Sequence, residues 1–144
     1  LVRLFGMPKK IIADSLLLSN GVEGAGTILA SYDGMQAELL YSKITNNRLP
    51  SQIQGEDGTL VIDNITNICS VVFHDRKGNA ETVIDLPPEH SLDGEVKDWL
   101  RMIATGEGVR EDNECSLMEL RVMDEARRQA GIVFPADLRK ITGC

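Results

Sequence analysis

Aromatic residues are scarce in this sequence, which has one Trp, two Tyr and three Phe among 144 residues. Proteins that bind single-stranded nucleic acid stack bases on aromatic side chains, so this scarcity argues against such a platform. The formal net charge of -7 argues the same way, because an acidic chain repels a polyanion unless basic residues cluster. The basic pairs Lys9-Lys10 and Arg127-Arg128 are isolated. We therefore expect no nucleic-acid partner.

Cysteines and long apolar runs are also few. The three cysteines, Cys69, Cys115 and Cys144, lack the C-x-x-C spacing, and an odd number cannot pair completely within one chain. No run reaches the roughly 18 apolar residues of a membrane-spanning helix, and the first residues lack the pattern of a signal peptide. These features predict a cytoplasmic, reducing location without a membrane partner.

Recognisable catalytic and cofactor motifs are absent as well. The segment Gly21–Gly26 is rich in glycine, but a strand follows it, whereas a dinucleotide-binding loop opens a helix. The P-loop, HExxH and GxSxG patterns do not occur. His74 and His90 are the two histidines, and neither has further ligands at metal spacing. We therefore assign no catalytic, cofactor-binding or metal-binding residue from sequence patterns.

The sequence does contain a series of short β-branched or alternating runs separated by turn residues. Asp33-Gly34 separates two of these runs and favours a two-residue hairpin of type I′. Four such turn signals follow one another without room for crossover helices, which predicts an antiparallel meander. The predicted strands are residues 11–18, 27–32, 35–44, 52–54, 59–63, 70–74 and 81–85.

The apolar period changes from strand to helix after residue 88. Ser91 is the predicted cap of a helix that ends at Gly106, and its apolar stripe is expected to face the core. The stripe consists of Leu92, Val96, Trp99, Leu100 and Ile103.

A second helix is predicted to open near Asn113 with the capping-box pattern Ser116-x-x-Glu119 and to stop at Gly131. Its apolar residues, Met118, Val122, Ala126 and Ala130, recur every four positions. Strands first and helices afterwards predict an α+β fold, with a mostly antiparallel open sheet and helices on one face.

The beginning of the chain predicts that the first part of a helix is missing. Leu1–Gly6 has the pattern of the last turn of an amphipathic helix, closed by Gly6. The start of such a helix is not in the sequence, and residue 1 is Leu rather than Met. We therefore expect residues 1–144 to be a single domain of a longer protein.

Two basic residues near a polar loop are the candidate contacts for a small molecule. The loop Thr45–Pro50 follows a predicted strand, and binding residues concentrate on such loops. Arg48 within the loop could bind a hydroxyl or a carboxylate, and Lys43 just before it could do the same. For each of them, a solvated residue without a ligand is the alternative.

Several motifs occur in an order that is similar to one known family. The run Ile53-Gln54-Gly55-Glu56-Asp57-Gly58-Thr59-Leu60-Val61-Ile62 follows a long hairpin and precedes a helix with Ala126-Arg127-x-x-Ala130-Gly131. Nearly the whole chain thereby resembles the C-terminal domain of the Gfo/Idh/MocA oxidoreductases. The segment from Tyr32-Asp33-Gly34 to Ile62 resembles the dihydrodiol-dehydrogenase-like branch of that family.

The resemblance implies a parent enzyme more than twice as long, acting on a sugar, cyclitol or diol. Its N-terminal Rossmann domain would bind NAD or NADP, and this chain would form the substrate-side wall. The family's catalytic lysine, in a Glu-Lys-Pro motif, and its Asp followed by His or Tyr match no residue of this sequence. The resemblance thus implies that this chain alone binds no cofactor and is inactive.

The resemblance also implies a homodimer or higher homo-oligomer that forms through the open face of the sheet. Tyr32, Leu39 and Tyr41 are the candidate interface residues. A different class of function remains open beside the oxidoreductase, namely a stand-alone dimerising or ligand-binding α+β module without catalysis.

Overall fold

The computed structural model describes residues 1–87, 91–134 and 137. Within these residues, helices and antiparallel strands make up an α+β fold, which confirms the predicted fold class. No described helix is both long and apolar enough to cross a membrane. The elements, in chain order, are α1 (Val2–Phe5), β1 (Lys10–Leu17), β2 (Glu23–Ser31), β3 (Gln36–Ser42), β4 (Ser51–Gln54), β5 (Gly58–Ile62), β6 (Ser70–Asp75), β7 (Ala80–Asp85), α2 (Ser91–Thr105) and α3 (Val109–Gln129).

The chain falls into two compact units. Unit 1 contains residues 1–47 and the chain from Gly108 onward, with α1, α3 and a three-stranded sheet A in the order β1-β2-β3. Unit 2 contains residues 48–107, with α2 and a four-stranded sheet B in the order β4-β5-β6-β7. The strands predicted from the sequence are thus found, but they form two sheets instead of one meander. The division falls between β3 and β4.

The hairpin at Asp33-Gly34 forms with a different turn from the predicted one. The Tyr32 N–H donates to the Met35 carbonyl at 2.8 Å, so the loop has two residues. Gly34 has a φ of 67°, whereas Asp33 does not adopt a positive φ. A type I′ turn needs positive φ at both central residues, so that prediction is wrong. Positive φ at the second central residue alone is the pattern of a type II turn.

Helix α3 packs on β1 through the apolar stripe that the sequence predicted. Val122 and Ala126 are buried, and Met118 packs against the same cluster. Cys115 and Val2 of α1 complete the core of this unit together with Ile11 of β1. The side of α3 that faces sheet A was therefore predicted correctly.

The start of α3 differs from the prediction. The helix begins at Val109 after Gly108, whose φ is 82°, so Ser116 lies inside the helix and its capping-box role is wrong. Glu111 and Asp112 occupy the first turn, where carboxylates interact favourably with the helix dipole. Asp112 also forms an ion pair with Arg3 of α1. These charges favour an earlier start than the Ser116 pattern indicates.

Helix α2 forms where it was predicted, but its apolar stripe is not buried. The five side chains of the stripe are 50% to 65% exposed, and Trp99 is 64% exposed. Among the described residues, α2 makes no extensive contact with a strand of its unit. The prediction that this stripe faces the core is therefore wrong for this chain. The side chain of Ser91, the predicted cap, lies outside the described part of the structure.

Sheet A has two different faces. One face packs under α3 and carries Ile11, and the strand register places Leu39 and Tyr41 on it as well. We call the opposite side the open face of sheet A, because no described helix packs on it. Its larger apolar residues are Ile12, Leu16, Leu29 and Leu40. Leu16 and Leu40 are 60% and 64% exposed, and the register places Lys10, Asp14 and Glu38 on the same face, so exposed apolar and charged side chains are mixed there.

In sheet B, Gly58 permits a close approach between two strands. A Cβ atom built at Gly58 would lie 2.2 Å from the His74 carbonyl oxygen. Such a contact with backbone could be relieved only by moving a strand, so the position requires glycine. The β4–β5 hairpin, closed by a 2.9 Å hydrogen bond from the Gly55 N–H to the Gly58 carbonyl, depends on this residue.

Replacing Val122 by Ala is expected to destabilise the fold by about 2 kcal/mol, because it removes buried methyl groups and leaves a cavity. Val122 is 8% exposed in the core under α3. The neighbouring Met123 is 61% exposed, so Met123→Ala is the matched control and should change stability by less than about 0.5 kcal/mol. Urea denaturation measures both values. Equal losses for the two variants would contradict the packing described for α3.

Candidate functional site

Lys43, one of the two predicted contact residues, lies just after the end of β3. Its backbone N–H donates to the Gly24 carbonyl at 2.7 Å, which continues the β2–β3 pairing beyond the strand. Its ammonium group forms an ion pair with Glu23 at 2.8 Å between Nζ and Oε1. The Lys43 side chain is 54% exposed, so it remains accessible to a small molecule.

A pair of hydroxyl groups lies two residues further into sheet A than Lys43. Ser15 of β1, Gly26 of β2 and Tyr41 of β3 face one another across sheet A. The Ser15 Oγ and the Tyr41 hydroxyl oxygen are 2.6 Å apart, and the pair is partly buried. The two hydroxyls can meet because a Cβ at Gly26 would lie 2.4 Å from the Tyr41 hydroxyl.

Together these four residues, Ser15, Glu23, Tyr41 and Lys43, form a group that we call the polar cluster. The hydroxyl pair and the ion pair lie near the same end of sheet A, and Lys43 follows the last residue of β3 in a bend. The cluster combines two hydroxyls, a carboxylate and an ammonium, which can each exchange hydrogen bonds with a substrate hydroxyl. It has the chemistry of a binding surface for a polar small molecule.

Arg48, the other predicted contact residue, lies in unit 2 and is exposed. Within the described part of the chain it has no hydrogen bond or ion pair that would fix its guanidinium. Lys43 belongs to unit 1, so the two candidates are not part of one described site. Also within the described residues, no group of three or more His, Cys, Asp or Glu is placed to hold a metal ion.

The three residues proposed for the subunit interface do not lie on the open face of sheet A. Leu39 and Tyr41 are on the face that packs under α3. The Tyr32 hydroxyl donates to the Gly6 carbonyl at 3.1 Å, and its ring meets Phe5 edge to face. Burial raises the pKa of Tyr32 above its usual value. Tyr32 therefore holds the end of α1 against the β2–β3 turn.

Ser15 and Glu23 were not identified as site residues from the sequence. The useful signal was Asp33-Gly34, because counting outward from this turn places Tyr41 opposite Gly26 and Lys43 opposite Gly24. Glu23 is adjacent to Gly24, but adjacent residues of a strand point to opposite faces, so its contact with Lys43 required the structure. The contact between Tyr41 and Ser15 needs a third strand, and its register does not follow from that turn.

Comparison with known proteins identifies relatives of the chain. It is 42% identical over 138 residues to scyllo-inositol 2-dehydrogenase (NADP(+)) IolU of Bacillus subtilis strain 168, which covers 94% of this chain and 42% of that protein. It is 29% identical over 140 residues to the uncharacterized oxidoreductase YgjR of Escherichia coli K12, with coverages of 97% and 43%. The chain thus spans less than half of the length of these relatives, and both are oxidoreductases.

A solved structure extends the comparison to the fold. UDP-N-acetylglucosamine 3-dehydrogenase GnnA from Acidithiobacillus ferrooxidans matches with a TM-score of 0.65 at 22% identity, over 92% of this chain and 42% of that one. No family model matches the chain. The homologues of the chain are oxidoreductases, and its resemblance to the C-terminal domain of the Gfo/Idh/MocA oxidoreductases is confirmed.

The close approach of Gly26 and Tyr41 in the polar cluster can be tested by substitution. A Cβ at Gly26 would displace the Tyr41 ring and break its contact with Ser15. Gly26→Ala should therefore destabilise the chain when Tyr41 is present and much less when Tyr41 is replaced by Ala. A double-mutant cycle measured by urea denaturation should give a coupling of about 1 kcal/mol or more. Additive effects of the two substitutions would show that Gly26 and Tyr41 do not meet.

Proposed function

We propose that this chain forms the substrate-side and oligomerisation domain of a longer NAD(P)-dependent oxidoreductase. The reaction of the parent enzyme is hydride transfer between the nicotinamide and a carbon of a sugar, cyclitol or related diol. The chain alone is inactive in this proposal, because the cofactor and its catalytic residues would lie in another part of the parent. The identity of 42% to an NADP(+)-dependent cyclitol dehydrogenase carries the proposal.

The polar cluster supports a role on the substrate side. A cyclitol presents many hydroxyl groups, and each requires a hydrogen-bond partner when water is excluded. Lys43 and Glu23 carry charges, and hydrogen bonds to charged groups contribute more than neutral ones. Lys43 is therefore the first candidate for substrate binding. Arg48 is the second, since it is exposed and its guanidinium can donate to two oxygens at once.

The uncovered apolar surfaces support a role in assembly. Large exposed apolar patches are typical of surfaces that contact another protein or domain. The open face of sheet A and the stripe of α2 are two such surfaces in this chain. In our proposal the open face of sheet A joins a second copy of the parent enzyme, as the resemblance to the family implies.

The first experiment tests the reaction and the role of Lys43 in the parent enzyme. With a panel of cyclitols and sugars, NADP+ or NAD+ reduction is expected to saturate. Lys43→Met should raise KM by about tenfold or more, because it removes a charged hydrogen-bond donor that binds ground state and transition state alike. Arg48→Met tests the second candidate in the same assay.

Lys77→Met is the matched control for Lys43→Met, since Lys77 lies in the β6–β7 turn and, among the contacts of the described residues, only its backbone N–H is bonded, to Asp75. It should leave KM unchanged. Saturable NADPH binding by the 144-residue chain alone, measured by calorimetry, would contradict the assignment of the cofactor site to another part of the parent. It would favour a stand-alone ligand-binding module instead.

The second experiment tests assembly through the open face of sheet A. Leu40→Asp should weaken self-association by at least tenfold, because it replaces an exposed apolar side chain by a second carboxylate in the register row that already holds Asp14. Leu120→Asp is the control, since Leu120 is exposed to a similar degree but lies on α3. Sedimentation equilibrium measures both. A protein that associates equally well with either substitution does not use this face.

A further inference from the structure

The outer edge of β1 is occupied by a side chain from α3. β1 is an edge strand of sheet A, so within the part of the chain that the structure describes its outward backbone groups have no neighbouring strand. The Gln129 side chain lies against this edge: Nε2 donates to the Ile11 carbonyl at 2.9 Å, and Oε1 accepts from the Ala13 N–H at 2.8 Å. One amide group thus makes the two hydrogen bonds that a neighbouring strand would make there.

Other side chains extend or support this arrangement. The next outward donor, the Ser15 N–H, bonds to the Asp14 carboxylate at 2.9 Å. Gln129 Nε2 also donates to Glu125 Oε1 at 2.6 Å. Arg128 donates two hydrogen bonds to the same carboxylate, at 2.7 and 2.8 Å. These bonds, led by the one from Arg128, lower the pKa of Glu125 to about 2. Glu125 is therefore ionised at neutral pH and fixes the Gln129 amide.

We infer that Gln129 closes the edge of β1 against a strand from a second copy of this chain. Unpaired edge strands pair readily with other strands, and proteins block them with side chains or covering elements. β1 is long, with eight residues, and it carries Ile11, Ile12, Leu16 and Leu17, so an open edge would be suited to pairing. Gln129 prevents this by satisfying the backbone groups near its middle. The inference does not depend on the proposed function.

Gln129→Ala tests the inference, because alanine favours the helix but cannot reach β1. The background is Leu40→Asp, in which contact through the open face is weakened. In dilute solution, exchange of the Ala13 amide hydrogen should accelerate at least tenfold, while the Leu29 amide in the central strand should not change. In concentrated solution the variant should form dimers or larger species that its Gln129 background does not form.

Arg121→Ala is the matched control, since Arg121 is an exposed, long side chain on the same helix. It should alter neither amide exchange at Ala13 nor the sedimentation profile. Unchanged exchange at Ala13 in Gln129→Ala would overturn the inference, because the edge would then be covered by something else. Faster exchange without new association would also overturn it, because the open edge would not pair with a second copy.

Discussion

The contact between α3 and β1 is the constraint on which unit 1 depends. Each strand of sheet A pairs with a sequence neighbour, whereas Gln129 and Ile11 are 118 residues apart. Bringing such distant segments together costs chain entropy, which must be offset by burial and hydrogen bonding where they meet. Val2, Cys115 and Val122 supply the burial, and Gln129 adds directional bonds to the strand edge. The apolar contact stabilises the pair, and the polar contact sets how the helix end meets the strand.

Local signals made the hairpins predictable, because turn residues act over about four positions. The register of β2 and β3 follows from Asp33-Gly34 alone, so the positions of Tyr41 and Lys43 could be counted from it. The register of β1 and β2 could not be counted, because an irregularity between Leu16 and Leu17 shifts it by one residue. No residue pattern marks such a bulge reliably. The Ser15 partner of Tyr41 therefore required the structure.

Long-range features were predicted less well for a physical reason. The 3.6-residue period of α2 shows that the helix has an apolar face, but it does not specify what covers that face. Its exposure in this chain consequently contradicted a core role for Trp99 and its neighbours. The Ser116 pattern failed similarly, since a capping box is a weak local preference. Helical structure before Ser116 is favoured by the carboxylates of Glu111 and Asp112 and by the packing of Cys115.

The open face and the closed edge of sheet A have complementary consequences for assembly. Association through a face depends on the side chains that alternate along each strand, so it can select one partner and one register. Association through an edge depends on backbone groups, which every strand offers, so it selects poorly. A domain that assembles through its face therefore benefits from a blocked edge. In this chain, the open face exposes the apolar side chains of Ile12, Leu16 and Leu40. The outward backbone groups of β1 are instead bonded to the side chains of Gln129 and Asp14.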